Sequence, residues 1–285
     1  MKLLVLGGKG MAGHVIADYF SKQKNFHVKY TTRDILNHES VYLNATNFYS
    51  IKKAIYENQP DVVINAIGLL NEEAEKRKLE AIQVNSLFPH HLVELLNQYN
   101  GKLIHISTDC VFSGRVDSES NDCRNQGRYS ETDLTDGATV YAKTKALGEI
   151  IDNKHVTIRT SIIGPELKDG IGLFHWFMNQ KGEIKGYKNV LWNGVTTLQL
   201  AKSIHEIIEN KMSGLFHLTA PEIISKYDLL KMLQVVFRKD DVTIQQDGEI
   251  KLNRTLRQTR PNWTFQVPSY KQMLQELYDW MKQRD

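Results

Sequence analysis

The chain has 285 residues, is 41% hydrophobic, and carries 36 Lys and Arg against 33 Asp and Glu, for a net charge of +3. That length supports one large domain or two unequal ones around a sizeable core. The near-balanced charge, with no block of one sign, gives no case for nucleic acid as a partner.

Residues 2–8, KLLVLGG, read as a buried strand, and a helix is expected over about 11–22. FHVKYTT (26–32) is a second strand. DVVINAIG (61–68) and KLIHIST (102–108) are buried strands, each preceded by a helical pattern. A helix holding Tyr141 leads into another strand, VTIRTS (156–161). Alternating strand and helix predict an α/β fold with a doubly wound parallel sheet of the Rossmann type. After Gly164-Pro165 the rhythm changes. Residues 166–190 are mixed, 196–210 form an amphipathic helix expected to return to the sheet, and helical patterns recur at 226–237 and 269–283. The expected organisation is a Rossmann domain from 1–165 and 190–215, with a smaller substrate-binding lobe from 166–189 and 216–285.

Two cysteines, Cys110 and Cys123, make no disulfide framework and fit a reducing compartment. No apolar run approaches membrane-spanning length, so the expectation is a cytoplasmic protein with no membrane partner. No metal site is expected. HEIIE (205–209) has Glu209 where a zinc helix needs its second histidine, and the adjacent His90 and His91 point in different directions.

GGKGMAG places Gly7, Gly10 and Gly13 at three-residue spacing between the first strand and the first helix, which Met11 opens. Glycines permit a tight turn and let backbone amides approach a pyrophosphate, and the helix N-terminus adds partial positive charge. A dinucleotide cofactor is therefore expected here. After the second strand the chain reads YTTRD: Arg33 there, and Lys9 in the loop, are placed to pair with a 2′-phosphate, which favours NADPH. Asp34 keeps NADH open. Asn44, after a third short strand, is placed to face adenine.

The strand HISTD ends at Thr108-Asp109, where doubly wound folds bind ligands. Thr108 is placed to hydrogen-bond a carbonyl oxygen and Tyr141 to protonate it as hydride arrives. Lys145 lies one helical turn from Tyr141, and its ammonium is expected to lower the phenol's pKa.

Together these residues resemble the extended short-chain dehydrogenase/reductase family. The resemblance rests on GGKGMAG, NAIG, VNSLFP, STDCVFSG, YAKTK and RTSIIGP, in family order to about residue 165. It implies a catalytic triad of Thr108, Tyr141 and Lys145, with Lys145 and Tyr141 also touching the cofactor. It further implies cofactor contacts at Ala66 and Gly68, and a helix asparagine at Asn85. Within the family, STDCVFSG, Y-x-x-TK-x-x-GE and Arg260-Pro261 are most similar to reductases of nucleotide-linked 4-keto-6-deoxyhexoses that supply polysaccharide precursors. That implies a nucleotide-sugar substrate, near Asp109, Cys110, His175, Trp192 and Arg260, and a monomer or homodimer. Three departures stand out: Cys110 replaces a tyrosine, an insert spans 115–133, and RPNWTF matches its motif only loosely. Tyr129 and Arg128, in the insert, are candidate sugar contacts.

Cys110 two residues after Thr108, and His175 nine residues past Gly164-Pro165, resemble the acid–base pair of GDP-L-fucose synthase, which epimerises its sugar before reduction. A 3,5-epimerase/4-reductase is thus an alternative, and packing roles for Cys110 and His175 are another. A third is a regulatory subunit that binds NADP without turnover. Trp192 is equally a pocket wall or a core residue.

Overall fold

The computed structural model describes residues 1–115, 128–167 and 170–284. In chain order the first half comprises β1 (Lys2–Leu6), α1 (Met11–Ser21), β2 (His27–Thr32), β3 (Val41–Tyr42), α2 (Phe48–Asn58), β4 (Val62–Asn65), α3 (Asn71–Lys76), α4 (Lys78–Ala81), α5 (Phe88–Asn97) and β5 (Lys102–Ile106). Next come α6 (Val140–Leu147), β6 (Val156–Arg159), β7 (Ile162–Ile163), α7 (Leu173–Asn179), β8 (Gly182–Tyr187), β9 (Val190–Trp192), β10 (Val195–Thr196) and α8 (Thr197–Glu209). The chain ends with β11 (Gly214–His217), β12 (Ile224–Ser225), α9 (Lys226–Val236), β13 (Val242–Asp247), β14 (Leu252–Asn253) and α10 (Tyr270–Lys282).

The expected parallel sheet is present. Its seven strands run in the order β11-β6-β5-β4-β1-β2-β3, with every pair parallel. All four residues of β4 and of β6 are buried, as strands covered on both faces must be. Side-chain alternation splits the core in two. Leu3, Val5, Ile64, Ile104 and Ile158 pack with Ile16 and Ile204 on one face. Leu4, Leu6, Val63 and Leu103 pack with Ile55 and Leu92 on the other. Strand order reverses between β1 and β4, which opens a crevice at their carboxyl ends.

Beyond this sheet, β8 pairs with β13, β9 with β12 and β14, and β7 with β10. α9 starts in a capping box made by Ser225 and Asp228. α10 packs against α9 and β10 and also reaches past these elements. Its apolar face carries Leu277 and Trp280 back onto Val15 and Leu198, and the Trp280 indole N–H donates to Asp18 at 2.8 Å. Among the described residues no helix is long and apolar enough to cross a membrane.

Candidate active site

The glycine loop leaves β1 with Gly7 at φ +81°, a conformation that favours glycine. Gly10 N–H donates to Gly7 O at 2.8 Å and closes the turn. Gly7 N–H donates to Thr31 Oγ1 at 3.1 Å, which ties the loop to the end of β2. A Cβ on Gly13 would lie 2.1 Å from Gly7 O, so the third glycine lets α1 sit against the loop. No side chain caps α1 at Gly10, which leaves its first amides for an anion. A cavity of about 570 Å³ opens there. Gly7, Lys9, Gly10, Arg33, Asn44, Ala66 and Gly68 line it, all expected from the sequence. Met11 and Gly13 are not among the residues that line it. Lys9 pairs with Asp34 at 3.6 Å, and Asn44 Oδ1 accepts from the Thr46 amide and hydroxyl. Close-approach glycines, an uncapped helix N-terminus and two cations, Lys9 in the loop and Arg33 after β2, fit the diphosphate and 2′-phosphate of NADP.

Asn85 does not face that cavity. Its side chain is fully buried, accepting from Leu69 N–H at 2.8 Å and donating to Leu69 O at 2.9 Å and Thr144 Oγ1 at 3.1 Å. Both its amide protons and its oxygen clamp the Leu69 loop to α6, so the expected direct cofactor contact is replaced by support from behind.

At the end of β5 the backbone is strapped to β6 and its continuation: Ser107 N–H donates to Ile158 O at 2.7 Å and Asp109 N–H to Thr160 O at 3.1 Å. Thr108 is extended, and its Oγ1 caps the short turn Asp109–Val111 by accepting from Cys110 N–H at 3.1 Å. Tyr141 lies in the first turn of α6, which Thr139 caps. Tyr141 is buried beside Thr108 and Cys110. Lys145, one turn on, donates to Ile106 O at 2.7 Å and stands 3.2 Å from His105 Nε2.

The sequence predicts that Lys145 lowers the Tyr141 pKa. In this geometry it does not. Burial, then Cys110 and Asp109, push the phenol up, and only Thr108 opposes them. Burial also pulls Lys145 down to about 8, against the attraction of Glu149. Tyr141 therefore stays protonated, the state a proton donor needs.

Facing Tyr141 is a cluster that sequence reasoning only half found. Burial raises Asp109, with Lys226 and Arg254 opposing. Cys110 is pushed up to about 12 by burial first and then by Asp109. Arg254 donates to Cys110 Sγ at 3.5 Å and to Ser113 O at 3.3 Å. Lys226, the first residue of α9, is lowered to about 8 by burial and stands 4.7 Å over the Trp192 ring. Trp192 has both roles, packing against Tyr270 in the core and sending its indole N–H to Ser161 Oγ at 2.8 Å. No sequence motif marks Lys226 or Arg254. The topology alone brings the start of α9 and the end of β14 to β5.

Arg260 is a correction. It donates to Leu215 O at 3.1 Å and lines a separate cavity with residues 151–153 and 213–216, at the amino ends of β6 and β11. That is the opposite end of the sheet from Thr108. His175 stands 3.8 Å from Glu166 and acts electrostatically on His14, and it is absent from the groups that act on Cys110 or Tyr141. Tyr129 stacks on Phe112, 4.1 Å between ring centres, and its hydroxyl accepts from Gly114 N–H, a packing role. Cys123 and the rest of 116–127 lie outside the described residues. Among the described residues no group of three His, Cys, Asp or Glu side chains is placed to hold a metal ion.

The sequence profile described as the RmlD substrate binding domain matches residues 1–275. A protein from Aggregatibacter actinomycetemcomitans named dTDP-4-dehydrorhamnose reductase is 26% identical over 243 residues, 80% of this chain and 76% of its own. A dTDP-4-dehydrorhamnose reductase ortholog from Clostridium acetobutylicum superposes with a TM-score of 0.78 at 24% identity, covering 99% of this chain and 100% of its own. The dTDP-4-dehydrorhamnose reductase from Bacillus anthracis, solved in complex with NADP, gives a TM-score of 0.82 at 18% identity and covers 98% of both chains.

Proposed function

Because the chain belongs to the RmlD substrate binding domain family, we propose that it is an NADPH-dependent reductase of the 4-keto group of a nucleotide-linked 4-keto-6-deoxyhexose. In this reading it supplies polysaccharide precursors in the cytoplasm, as a monomer or homodimer. The carrying observation is the juxtaposition of Thr108 and Tyr141 at the carboxyl end of β5, beside a cleft built for a dinucleotide.

NADPH, when bound, supplies the hydride. The glycine loop and the start of α1 hold its pyrophosphate, Lys9 and Arg33 its 2′-phosphate, and Lys145 its nicotinamide ribose. The Thr108 hydroxyl, which donates to Asp109 Oδ1 at 3.2 Å in the free protein, turns its proton to the ketone oxygen and polarises it. Tyr141 gives its proton to that oxygen as negative charge develops there. Lys226 and Arg254, on the far side of Asp109 and Cys110, carry the positive charge that suits an anionic nucleotide sugar. The elements outside the central sheet, chiefly β8, β9, α9 and β12 to β14, form the substrate lobe in this account.

The epimerising alternative has less support. A thiol raised to about 12 yields no thiolate at neutral pH to take a proton from the sugar, and His175 has no interaction with it. A regulatory subunit has no use for a buried, protonated tyrosine. The test is oxidation of NADPH with dTDP-4-keto-6-deoxy sugar as acceptor. Tyr141→Phe is expected to abolish turnover and retain NADPH binding. A Tyr141→Phe variant that keeps most of its activity would overturn the assignment.

A further inference from the structure

One wall of the dinucleotide cavity comes from neither the glycine loop nor β2. Glu80 and Val84, in the helical run that begins with α4, line it together with Asn44 and Ala45. Val84 belongs to the same core as Leu43 and Ala45, so this wall faces the turn after β3, the end of the cavity that suits adenine. Glu80 stands one turn before Val84 and on the same side. Its side chain is 24% exposed; Arg77 pairs with Oε2, and Oε1 has no partner among the described residues. Asn44 is badly placed to take the amino protons of adenine. Its Oδ1 already accepts from the Thr46 amide at 3.1 Å and the Thr46 hydroxyl at 2.9 Å, which uses both lone pairs. What remains is Nδ2, a donor only. Asp34, another carboxylate on the cavity wall, is committed to Lys9 at 3.6 Å and to the Leu36 amide at 3.1 Å. The base end thus offers a donor from Asn44 and a free carboxylate oxygen from Glu80.

We propose that Glu80 is a cofactor-binding residue that reads the base: its carboxylate accepts from the exocyclic amino group of adenine, while Asn44 Nδ2 donates to a ring nitrogen. The inference rests on the NADPH-dependent reading of the site. An amino group presents protons to a carboxylate, and the bond is charge-assisted. A purine with a carbonyl at the same position presents a lone pair instead, and two acceptors repel. Arg77 has two effects on this contact. It holds the carboxylate in place, so little side-chain freedom is lost when the base arrives. It also balances the charge of Glu80, so the cofactor phosphates do not meet an uncompensated anion. The two recognition tasks are then divided along the cavity: Lys9 and Arg33 read the 2′-phosphate, and Glu80 reads the base.

The test is binding alone and needs no sugar substrate. NADPH and reduced nicotinamide hypoxanthine dinucleotide phosphate share the same fluorescent nicotinamide and differ in the base, where a carbonyl replaces the amino group. Fluorescence titration gives a Kd for each. The wild-type protein is expected to bind the hypoxanthine form about tenfold or more weakly, the worth of a hydrogen bond to a charged group. Glu80→Gln presents a donor as well as an acceptor, so the ratio of the two Kd values is expected to fall by about fivefold or more. A change in the charge or stability of the wall acts on both dinucleotides alike and cancels in the ratio, so a merely structural role would leave it unmoved. If Glu80→Gln does not fold, Glu80→Ala is read in the same way. Wild-type Kd values within about twofold of each other, or a ratio unchanged in the variant, would overturn the assignment and leave the reductase reading standing. Failure to bind either dinucleotide would overturn both.

Discussion

Replacing Gly13 by alanine tests how the glycine loop works. The new methyl carbon would lie 2.1 Å from Gly7 O, 2.7 Å from Gly7 C and 3.2 Å from Gly8 Cα. These are backbone atoms, so no side-chain rotation relieves the clash, and loop and helix must part by roughly 1 Å to restore contact distance. α1 resists moving, because Val15, Ile16 and Phe20 are fully buried and Asp18 is bonded to Trp280. The loop yields instead. Overpacking of this kind costs about 1–3 kcal/mol, or roughly 2–10 °C in Tm for a chain of this size. The larger effect is on binding. A hydrogen bond to a charged group is worth about 1.5–3 kcal/mol, so displacing one loop amide from the pyrophosphate weakens NADPH binding roughly 10- to 150-fold. Gly10→Ala is the internal control for stability alone, since its Cβ would meet Gly7 O at 3.3 Å and needs only a small adjustment, while on the cavity side it also obstructs the pyrophosphate. Fluorescence titration with NADPH and calorimetric melting report the two effects. Gly13→Ala with wild-type affinity and Tm would refute the close-approach argument.

Three further outcomes are expected. Lys226→Ala raises KM for the nucleotide sugar about tenfold or more while Arg260→Ala leaves it within about twofold, because only Lys226 stands beside Asp109; steady-state kinetics decide, and equal effects would contradict the placement. Glu149→Ala lowers stability by about 3–5 kcal/mol in urea unfolding, because it strands the buried Arg159 guanidinium. Stability also falls on acidification below about pH 6.5: His105, His155 and His217, the last at about 4, are held below the ordinary histidine value by burial. The unfolded chain then binds more protons than the folded one, and each histidine removes up to about 1.4 kcal/mol per pH unit. Urea midpoints on either side of that range measure the slope, which His217→Gln flattens.

Much of the fold was legible because its signals are local. A strand buried on both faces reads as an unbroken apolar run, and KLLVLGG, DVVINAIG and KLIHIST became β1, β4 and β5. The glycine loop was legible because only glycine satisfies its positive φ at Gly7 and the approach at Gly13. The Tyr141–Lys145 spacing placed both on one helix, but local spacing said nothing of where Lys145 Nζ turns. His105 and Ile106 O, one strand away, take it, so the expected effect on Tyr141 is absent. Lys226 and Arg254 escaped notice for a related reason: isolated cations in the last quarter of the chain look like solvated surface until α9 and β14 fold over β5. Arg260 was misplaced because its dipeptide matched a motif while the chain carried it to the amino ends of the strands. Asn85 carried a polar side chain in an apolar helix, a signal that reports burial but not which partner is bound.

The central claim is hydride transfer to a sugar ketone, and one incubation in D2O tests it most directly. Protein, unlabelled NADPH and freshly generated dTDP-4-keto-6-deoxy sugar are combined, and the product is read by mass spectrometry and proton NMR. The account predicts stoichiometric loss of NADPH, protium at C4 delivered from the cofactor, and no deuterium at C3 or C5 beyond an enzyme-free control. Deuterium at C3 or C5 would make Cys110 and His175 acid–base groups after all, and a sugar left unreduced with NADPH intact would contradict the account.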